Sequence, residues 1–164
     1  MKYIPTDFQI KVIDKRIKIS GLSPVALVLR NEINFDMLEA YYLLLLDAPI
    51  GIELYGFMLN ELNSYIKLND NRLQELKDMS HNDYLKTREW KTKRQILVRL
   101  YGHCMLCSSY ETIFHVHHNS YSSKPLEGIA DLIVLCEYCH EQYHRDEQQL
   151  RQYAKQMMSW INRV

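Results

Sequence analysis

Residues 104–144 read CMLCSSYETIFHVHHNSYSSKPLEGIADLIVLCEYCHEQYH, and this segment decides the fold of the C-terminal half. Two Cys-x-x-Cys motifs frame it, formed by Cys104 with Cys107 and by Cys136 with Cys139. Each motif points two sulfurs at one position, and four thiolates complete the closed tetrahedral shell typical of structural zinc. The alternative is four unrelated buried cysteines. Because a closed shell has no open position for water, we expect a structural zinc ion here and no catalysis by it.

Five histidines lie between and after the two motifs: His115, His117, His118, His140 and His144. The spacing of His140 and His144 places both imidazoles on one face of a helix that begins at the second motif. Taken one at a time, each histidine could equally be a surface or core residue.

The residues 113–118 and 132–135 are typical of two strands. A β-hairpin followed by the helix would bring His117 opposite the two helix histidines, forming a three-imidazole metal site with open positions. The adjacent His118 is then a candidate base near neutral pH.

From Tyr84 to His144 the chain resembles HNH endonucleases of the ββα-metal (His-Me finger) class, in the form with a four-cysteine structural zinc. The residues that carry the resemblance are Tyr84, Trp90, Arg94, Cys104, Cys107, His117, His118, Tyr121, Glu127, Leu135, Cys136, Cys139, His140 and His144. Residue types, order and spacing agree together. Residues 1–79 are not covered by the resemblance.

The resemblance implies roles for individual residues. His117, His140 and His144 match the ligands of a catalytic divalent ion, and His118 matches the general base that activates water. Asp131 stands where the family has its central Asn, and a carboxylate there can still orient a backbone group or the base. The resemblance also implies products with a 5′-phosphate and a 3′-hydroxyl.

The whole chain is expected to be α+β, with two domains. Residues 1–80 are predicted to form a mostly helical module of unknown role, and residues 81–164 the HNH nuclease domain with a C-terminal helix. In the module, the alternation between Phe8 and Ile19 indicates a short hairpin. Helices are expected after Ser23–Pro24, over Met37–Leu46 with Asn34 or Asp36 as cap, and on both sides of the Asn69–Asn71 turn.

Charge is unevenly distributed along the chain, although 20 Lys and Arg residues balance 20 Asp and Glu residues. The segment from His81 to Pro125 has an excess of basic residues, so it is the part expected to meet a polyanion. An amphipathic stretch from Tyr84 to Tyr101 supplies the candidate nucleic-acid contacts Lys86, Lys91, Lys93, Arg94 and Arg99. The alternative is a solvated helix packed by one face, and the two interpretations are compatible.

The longest apolar run, Ala40 to Leu46, is far too short to span a membrane and lacks the basic flank of a signal peptide. We therefore expect a cytoplasmic protein with no membrane partner. In a reducing compartment, four cysteines favour metal ligation over disulfides. At the C-terminus Leu150, Tyr153, Met157, Ile161 and Val164 form one helical stripe, which indicates core packing or, alternatively, a dimer seam.

The expected function is metal-dependent hydrolysis of phosphodiester bonds in nucleic acid, with double-stranded DNA favoured by the resemblance. The expected cofactors are the structural Zn²⁺ and one catalytic divalent ion (Mn²⁺, Mg²⁺, Ni²⁺ or Zn²⁺), for which imidazole ligands favour transition metals over Mg²⁺. The main alternative is a catalytically inactive, zinc-stabilised nucleic-acid-binding module. A third hypothesis makes residues 1–80 an adaptor for a protein partner.

Overall fold

The structure is a computed structural model that describes residues 7–46, 51–110, 113–119, 122–146 and 148. Within them the chain is α+β and mostly helical, with one two-stranded sheet, as expected. The elements are α1 (Asp7–Ser20), α2 (Pro24–Leu29), α3 (Phe35–Leu46), α4 (Ile52–Lys67), α5 (Asp70–Asp78), α6 (His81–Tyr84), α7 (Arg88–Tyr101), β1 (Phe114–His118), a 3₁₀ turn (Ile129–Asp131), β2 (Leu132–Cys136) and α8 (137–146).

The hairpin predicted between Phe8 and Ile19 is wrong, because these residues form most of α1. Ile13 is fully buried, and Ile10 and Ile17 pack against the core from positions three and four residues away. This helical spacing outweighs the alternation of apolar and polar residues, and Ile19 is left exposed. The alternation alone did not reveal which period the core would use.

The other expected helix starts in the N-terminal half are confirmed by their caps. The Ser23 hydroxyl accepts from the N–H of Ala26, and Asn34, not Asp36, caps α3 by accepting from Met37. Asn69 caps α5 in the same way. Polar side chains that accept a free N–H in the first turn are what make these positions favourable starts.

In the basic stretch from Tyr84 to Tyr101, only Tyr84 belongs to α6, and α7 begins four residues later at Arg88. The break falls where the Thr87 hydroxyl accepts from the N–H of Trp90 and begins α7. At its other end α7 stops at Gly102, which has a φ of 64°, in the left-handed region that favours glycine. The chain therefore turns sharply just before Cys104.

The two strands form the antiparallel hairpin that the sequence predicted. His115 lies opposite Leu135, and His117 lies opposite Ile133. The second Cys-x-x-Cys motif spans the end of β2 and the first residues of α8. The described chain therefore places a helix directly after a β-hairpin.

Helices from both predicted domains contribute to one buried cluster. Its members include Leu54, Met58 and Leu62 of α4, Trp90, Ile96 and Leu97 of α7, and Leu132, Val134 and Leu135 of β2. Polar contacts join the same parts, because the Asn63 amide donates to the carbonyl of Glu127 at 2.9 Å. The N-terminal helices thus support the surroundings of the hairpin.

None of the helices in the described part of the chain has both the length and the apolar character that a membrane span requires. The predicted apolar stripe from Leu150 to Val164 lies outside the described residues.

We predict that Leu62→Ala lowers the free energy of unfolding by about 2–5 kcal/mol, since it leaves a cavity in the shared cluster. Leu62 is 0% exposed, whereas Leu68, just beyond the end of the same helix, is 87% exposed. The control Leu68→Ala should change the stability by no more than about 0.5 kcal/mol. Urea denaturation of both variants measures the difference, and equal effects would contradict the assigned burial.

Candidate functional site

The four cysteines form one cluster that could hold a metal ion, as the two motifs predicted. Their sulfur atoms all lie within 4.8 Å of one another. The first motif is a tight turn in which the N–H of Ser108 donates to the carbonyl of Cys104 at 2.8 Å. The N–H of Met105 donates to the carbonyl of Val134 at 2.8 Å, which fastens this turn to β2 beside the second motif.

The surroundings favour the thiolate at Cys107, whereas burial and the neighbouring sulfurs raise the pKa of Cys139. Hydrogen bonds from the Ser109 hydroxyl and then from its N–H lower the pKa of Cys107 to about 6. The N–H of Cys139 donates to the sulfur of Cys136 at 3.5 Å. Four thiolates this close would repel one another, so a cation between them would be strongly stabilised. A four-sulfur donor set suits zinc, and the residues present fit that ion.

The second cluster consists of His117, His140 and His144, and it could also hold a metal ion. Their ring nitrogens lie within 4.8 Å of one another, with Nε2 of His140 and Nε2 of His144 separated by 3.1 Å. His117 comes from β1, and the other two come from adjacent turns of α8. The hairpin and the helix therefore bring together the three residues that the spacing predicted.

The surroundings of His140 favour its neutral form. Burial lowers the pKa of His140, and the nearby His115 and His144 lower it further. The ring of His115 stacks on that of His140, with centroids 4.5 Å apart and planes at 12°. Neutral imidazole is the form that binds a metal ion. A three-imidazole donor set fits Mn²⁺, Ni²⁺, Co²⁺ or Zn²⁺ better than Mg²⁺.

His118 lies in different surroundings from its neighbour His117. Successive strand residues point to opposite faces of a hairpin, and the His118 ring stacks on Trp90 with centroids 4.5 Å apart. The His81 ring packs edge-on against it at 5.3 Å. His118 is 4% exposed. The predicted base is therefore enclosed among aromatic rings.

The buried carboxylate of Glu127 forms a hydrogen bond with His118. The sequence pattern did not single out Glu127 as functional. Oε1 of Glu127 lies 3.0 Å from Nε2 of His118. Oε2 of Glu127 accepts hydrogen bonds from Nζ of Lys93 at 2.7 Å and from the Tyr84 hydroxyl at 2.8 Å. Tyr84 and Glu127 already belong to the set that carries the resemblance. The presence of the charged Glu127 in that set was the sequence signal that could have indicated a role for it.

The protonation states in this network follow from its contacts. Burial by itself would raise the pKa of Glu127, but the hydrogen bond with His118 and the charge and hydrogen bond of Lys93 outweigh it. The pKa of Glu127 is lowered to about 2. Burial is the largest cause that raises the pKa of the Tyr84 hydroxyl, and the charge of Glu127 and its hydrogen bond raise it further. Glu127 is consequently an ionised hydrogen-bond acceptor at neutral pH, and Tyr84 is a donor.

Asp131, which the resemblance aligns with the central Asn of HNH endonucleases, organises the connection between the strands. Its Oδ2 accepts from the N–H of Gly128 at 2.9 Å. Its carbonyl accepts from the N–H of Asn119, the residue after β1, at 2.8 Å. Only the first bond is made by the carboxylate, and it orients one backbone group; the second involves the backbone of Asp131 alone.

One predicted nucleic-acid contact is wrong. Lys93 is 0% exposed and points inward to Glu127 and to the carbonyl of Pro125, so it cannot reach a phosphate. Burying an ammonium group is costly unless a partner of opposite charge replaces the lost water. The spacing of basic residues along a helix does not show whether such a partner is present.

The other four basic residues have at least part of their surface accessible. Lys86 pairs with Asp83, and Arg99 pairs with Asp36. Arg94 donates to the carbonyl of Phe114 at 2.6 Å, and Lys91 is exposed on α7. Their contact with nucleic acid stays a prediction.

Comparisons of the chain with models of known protein families, with curated proteins and with solved structures find no match.

The cysteine cluster generates a prediction about metal content. Purified protein should contain about one tightly bound zinc ion per chain, and Cys136→Ser should release it and unfold the C-terminal half, because metal binding and folding are coupled. Leu106→Ser is the control, since Leu106 lies between the cysteines of the first motif and is 57% exposed. Metal analysis and near-UV circular dichroism are the measurements. A folded, zinc-free Cys136→Ser variant would contradict the prediction.

Proposed function

We propose that this chain is a metal-dependent HNH-type endonuclease that hydrolyses phosphodiester bonds of nucleic acid, with double-stranded DNA as the expected substrate. The observation that carries the proposal is the arrangement of the histidine cluster. One imidazole from β1 faces two imidazoles from the helix that directly follows β2. This is the hairpin-then-helix order that gives the ββα-metal class its name.

The two metal clusters support different tasks. Four thiolates fill a tetrahedral shell, so the cysteine cluster is assigned to a structural zinc ion. Three imidazoles leave coordination positions open to water and a phosphate oxygen. His117, His140 and His144 would hold the divalent ion, which supplies charge stabilisation at the phosphoryl group when bound. The proton transfer from the attacking water is left to a side chain of the protein.

In this proposal, His118 is the general base that takes a proton from the attacking water. The stack on Trp90 and the hydrogen bond with Glu127 fix the plane of its ring. A positioned base of this kind contributes roughly 10²- to 10⁴-fold to a rate. The carboxylate of Asp131 holds the turn before β2 by its bond from Gly128, and its backbone carbonyl accepts from Asn119 just after β1.

The alternative function is a zinc-stabilised nucleic-acid-binding module without catalysis. The burial of His118 favours this alternative, because a base must reach the water that it activates. The same fold and the same cysteine cluster would serve both functions. Cleavage, and its dependence on individual histidines, separates the two.

The proposed function is tested by replacing the base and a metal ligand separately, because the two substitutions should have different effects on the rate and on metal binding. His118→Ala should lower the rate of plasmid nicking with Mn²⁺ by roughly 10²- to 10⁴-fold while the second metal ion still binds. His140→Ala should weaken metal binding as well, and high Mn²⁺ should partly restore its rate. Metal titrations of nicking, alongside calorimetry of metal binding, distinguish the two patterns.

His103→Ala is the control, because His103 packs against Tyr110 and is not part of the histidine cluster. It should nick DNA at the rate of the parent. Loss of metal binding in His118→Ala with retention in His140→Ala would exchange the two roles. Nicking that neither variant changes would exclude the histidine cluster and His118 as its source, and a parent that binds DNA without nicking it would leave the binding module.

Nucleic-acid binding by the exposed basic residues predicts a salt effect. Replacing Lys86 and Lys91 by Ala should lower the slope of log affinity against log salt concentration by roughly one unit for each phosphate that is no longer neutralised. Affinity should fall by a similar factor for different DNA sequences, because every sequence presents the same phosphates. Lys67→Ala and Lys77→Ala, exposed positions on α4 and α5, form the control pair. An unchanged slope in the first pair would place the binding face elsewhere.

A further inference from the structure

We propose that Glu127 is a positioning residue that fixes both the orientation and the tautomer of the His118 imidazole. Lys93 and Tyr84 in turn hold Glu127 in place. The role in catalysis rests on the proposed function, since it acts through His118 as the base. The effect on the tautomer can be observed without any cleavage.

The two carboxylate oxygens of Glu127 have separate tasks. Oε2 receives both scaffold donors, Nζ of Lys93 from α7 and the hydroxyl of Tyr84 from α6. Oε1 faces Nε2 of His118 from β1. Three different elements therefore meet at one carboxylate, and the two donors on Oε2 determine where Oε1 points.

Both ends of the contact are fixed further. The Asn63 amide of α4 holds the Glu127 carbonyl at 2.9 Å, and Lys93 also donates to the carbonyl of Pro125. On the other side, the His118 ring lies flat against Trp90, with planes at 15°. Both ends of the contact are buried, since His118 is 4% exposed and both Lys93 and Glu127 are completely buried.

The tautomer follows from the chemistry of the acceptor. An ionised carboxylate can only accept a hydrogen bond, so Nε2 of His118 is the nitrogen that carries the hydrogen. In the neutral ring the lone pair then belongs to Nδ1. A histidine base needs one defined nitrogen to receive the proton, and a second group that sets the tautomer supplies that definition.

A second buried carboxylate, that of Glu89, shows what an ordinary structural ion pair looks like. Both oxygens of Glu89 are occupied by Arg72, at 2.7 Å to Nε and 2.9 Å to Nη2. In Glu127, by contrast, Oε2 accepts from Lys93 and Tyr84, and Oε1 contacts His118. Glu89 is therefore a matched control for the removal of a buried carboxylate.

The variant Glu127→Gln should reverse the tautomer. Lys93 and Tyr84 both donate to the Oε2 position, so the amide oxygen must occupy that position and the amide NH₂ must face His118. Nε2 of His118 then has to accept, which moves its hydrogen to Nδ1. Two-bond ¹H–¹⁵N spectra of the full chain, purified with its zinc and labelled at histidine, report which nitrogen is protonated. His118→Ala assigns the signal.

The expected spectra show the Nε2–H form in the parent and in Glu89→Gln, and the Nδ1–H form in Glu127→Gln. The nicking rate per folded molecule should fall by roughly 10²- to 10⁴-fold in Glu127→Gln, as for a base held in the wrong tautomer, and stay within about threefold of the parent in Glu89→Gln. In a His118→Ala background, Glu127→Gln should have no further effect on the rate.

Three results would overturn the inference: an Nδ1–H parent, a Glu127→Gln variant that nicks as fast as Glu89→Gln, or an additive decrease in the His118→Ala background. Should Glu127→Gln fail to fold, Lys93→Met/Glu127→Gln removes the buried charge that it leaves and must show a lowered rate and a disturbed tautomer. A parent that does not nick DNA contradicts the proposed nuclease. The spectra still decide whether Glu127 orients His118.

Discussion

The carboxylate of Glu127 lies at the place where the helical half and the hairpin half of the protein meet. Burying an ionised carboxylate is costly unless hydrogen bonds and an opposite charge replace water. Here the replacements come from three elements, because Tyr84, Lys93 and His118 all contact it. The positions of α6, α7 and β1 are therefore tied to one another by the requirement that this charge stay paired. The location of His118, and the register of the hairpin that carries it, depend on the same requirement.

Because successive side chains of β1 point to opposite faces of the hairpin, its two adjacent histidines lie in different surroundings. His117 points to α8, where two more imidazoles form a cluster suited to a metal ion, whereas His118 points to α7 and its aromatic and charged residues. A one-residue slip of β1 would exchange the two histidines and destroy both environments. The cysteine cluster opposes such a slip, since it joins the turn after α7 to the end of β2 and the start of α8. A structural metal ion would thus hold the turn that precedes β1 against β2, while Glu127 holds His118 at the end of β1.

The sequence predicted best what depends on spacing and least what depends on desolvation. The cysteine and histidine clusters follow from ligand types at fixed intervals, and the helix starts at Ser23, Asn34 and Asn69 follow from local capping. The α1 segment fits two periods, and only the core that buries Ile13 decides between them. Lys93 could not be separated from its exposed neighbours, because its partner Glu127 is distant in the chain and becomes visible only once α7 and the segment before β2 are packed together.

The buried pair of Lys93 and Glu127 is difficult to explain by stability alone. Replacing a buried ion pair by apolar residues of similar volume is often neutral or stabilising by about 1–4 kcal/mol, whereas removing one partner typically costs about 3–5 kcal/mol. A pair selected only to hold α7 against the segment before β2 could be a pair of aliphatic side chains. Such a pair would leave the Tyr84 hydroxyl and Nε2 of His118 without their acceptor, and neither group could then be buried without a cost. The charge at Glu127 is required because a polar ring has to be held at a defined angle inside an apolar setting. The buried His118 ring therefore requires the charged acceptor Glu127, and the buried charge of Glu127 in turn requires the cation of Lys93.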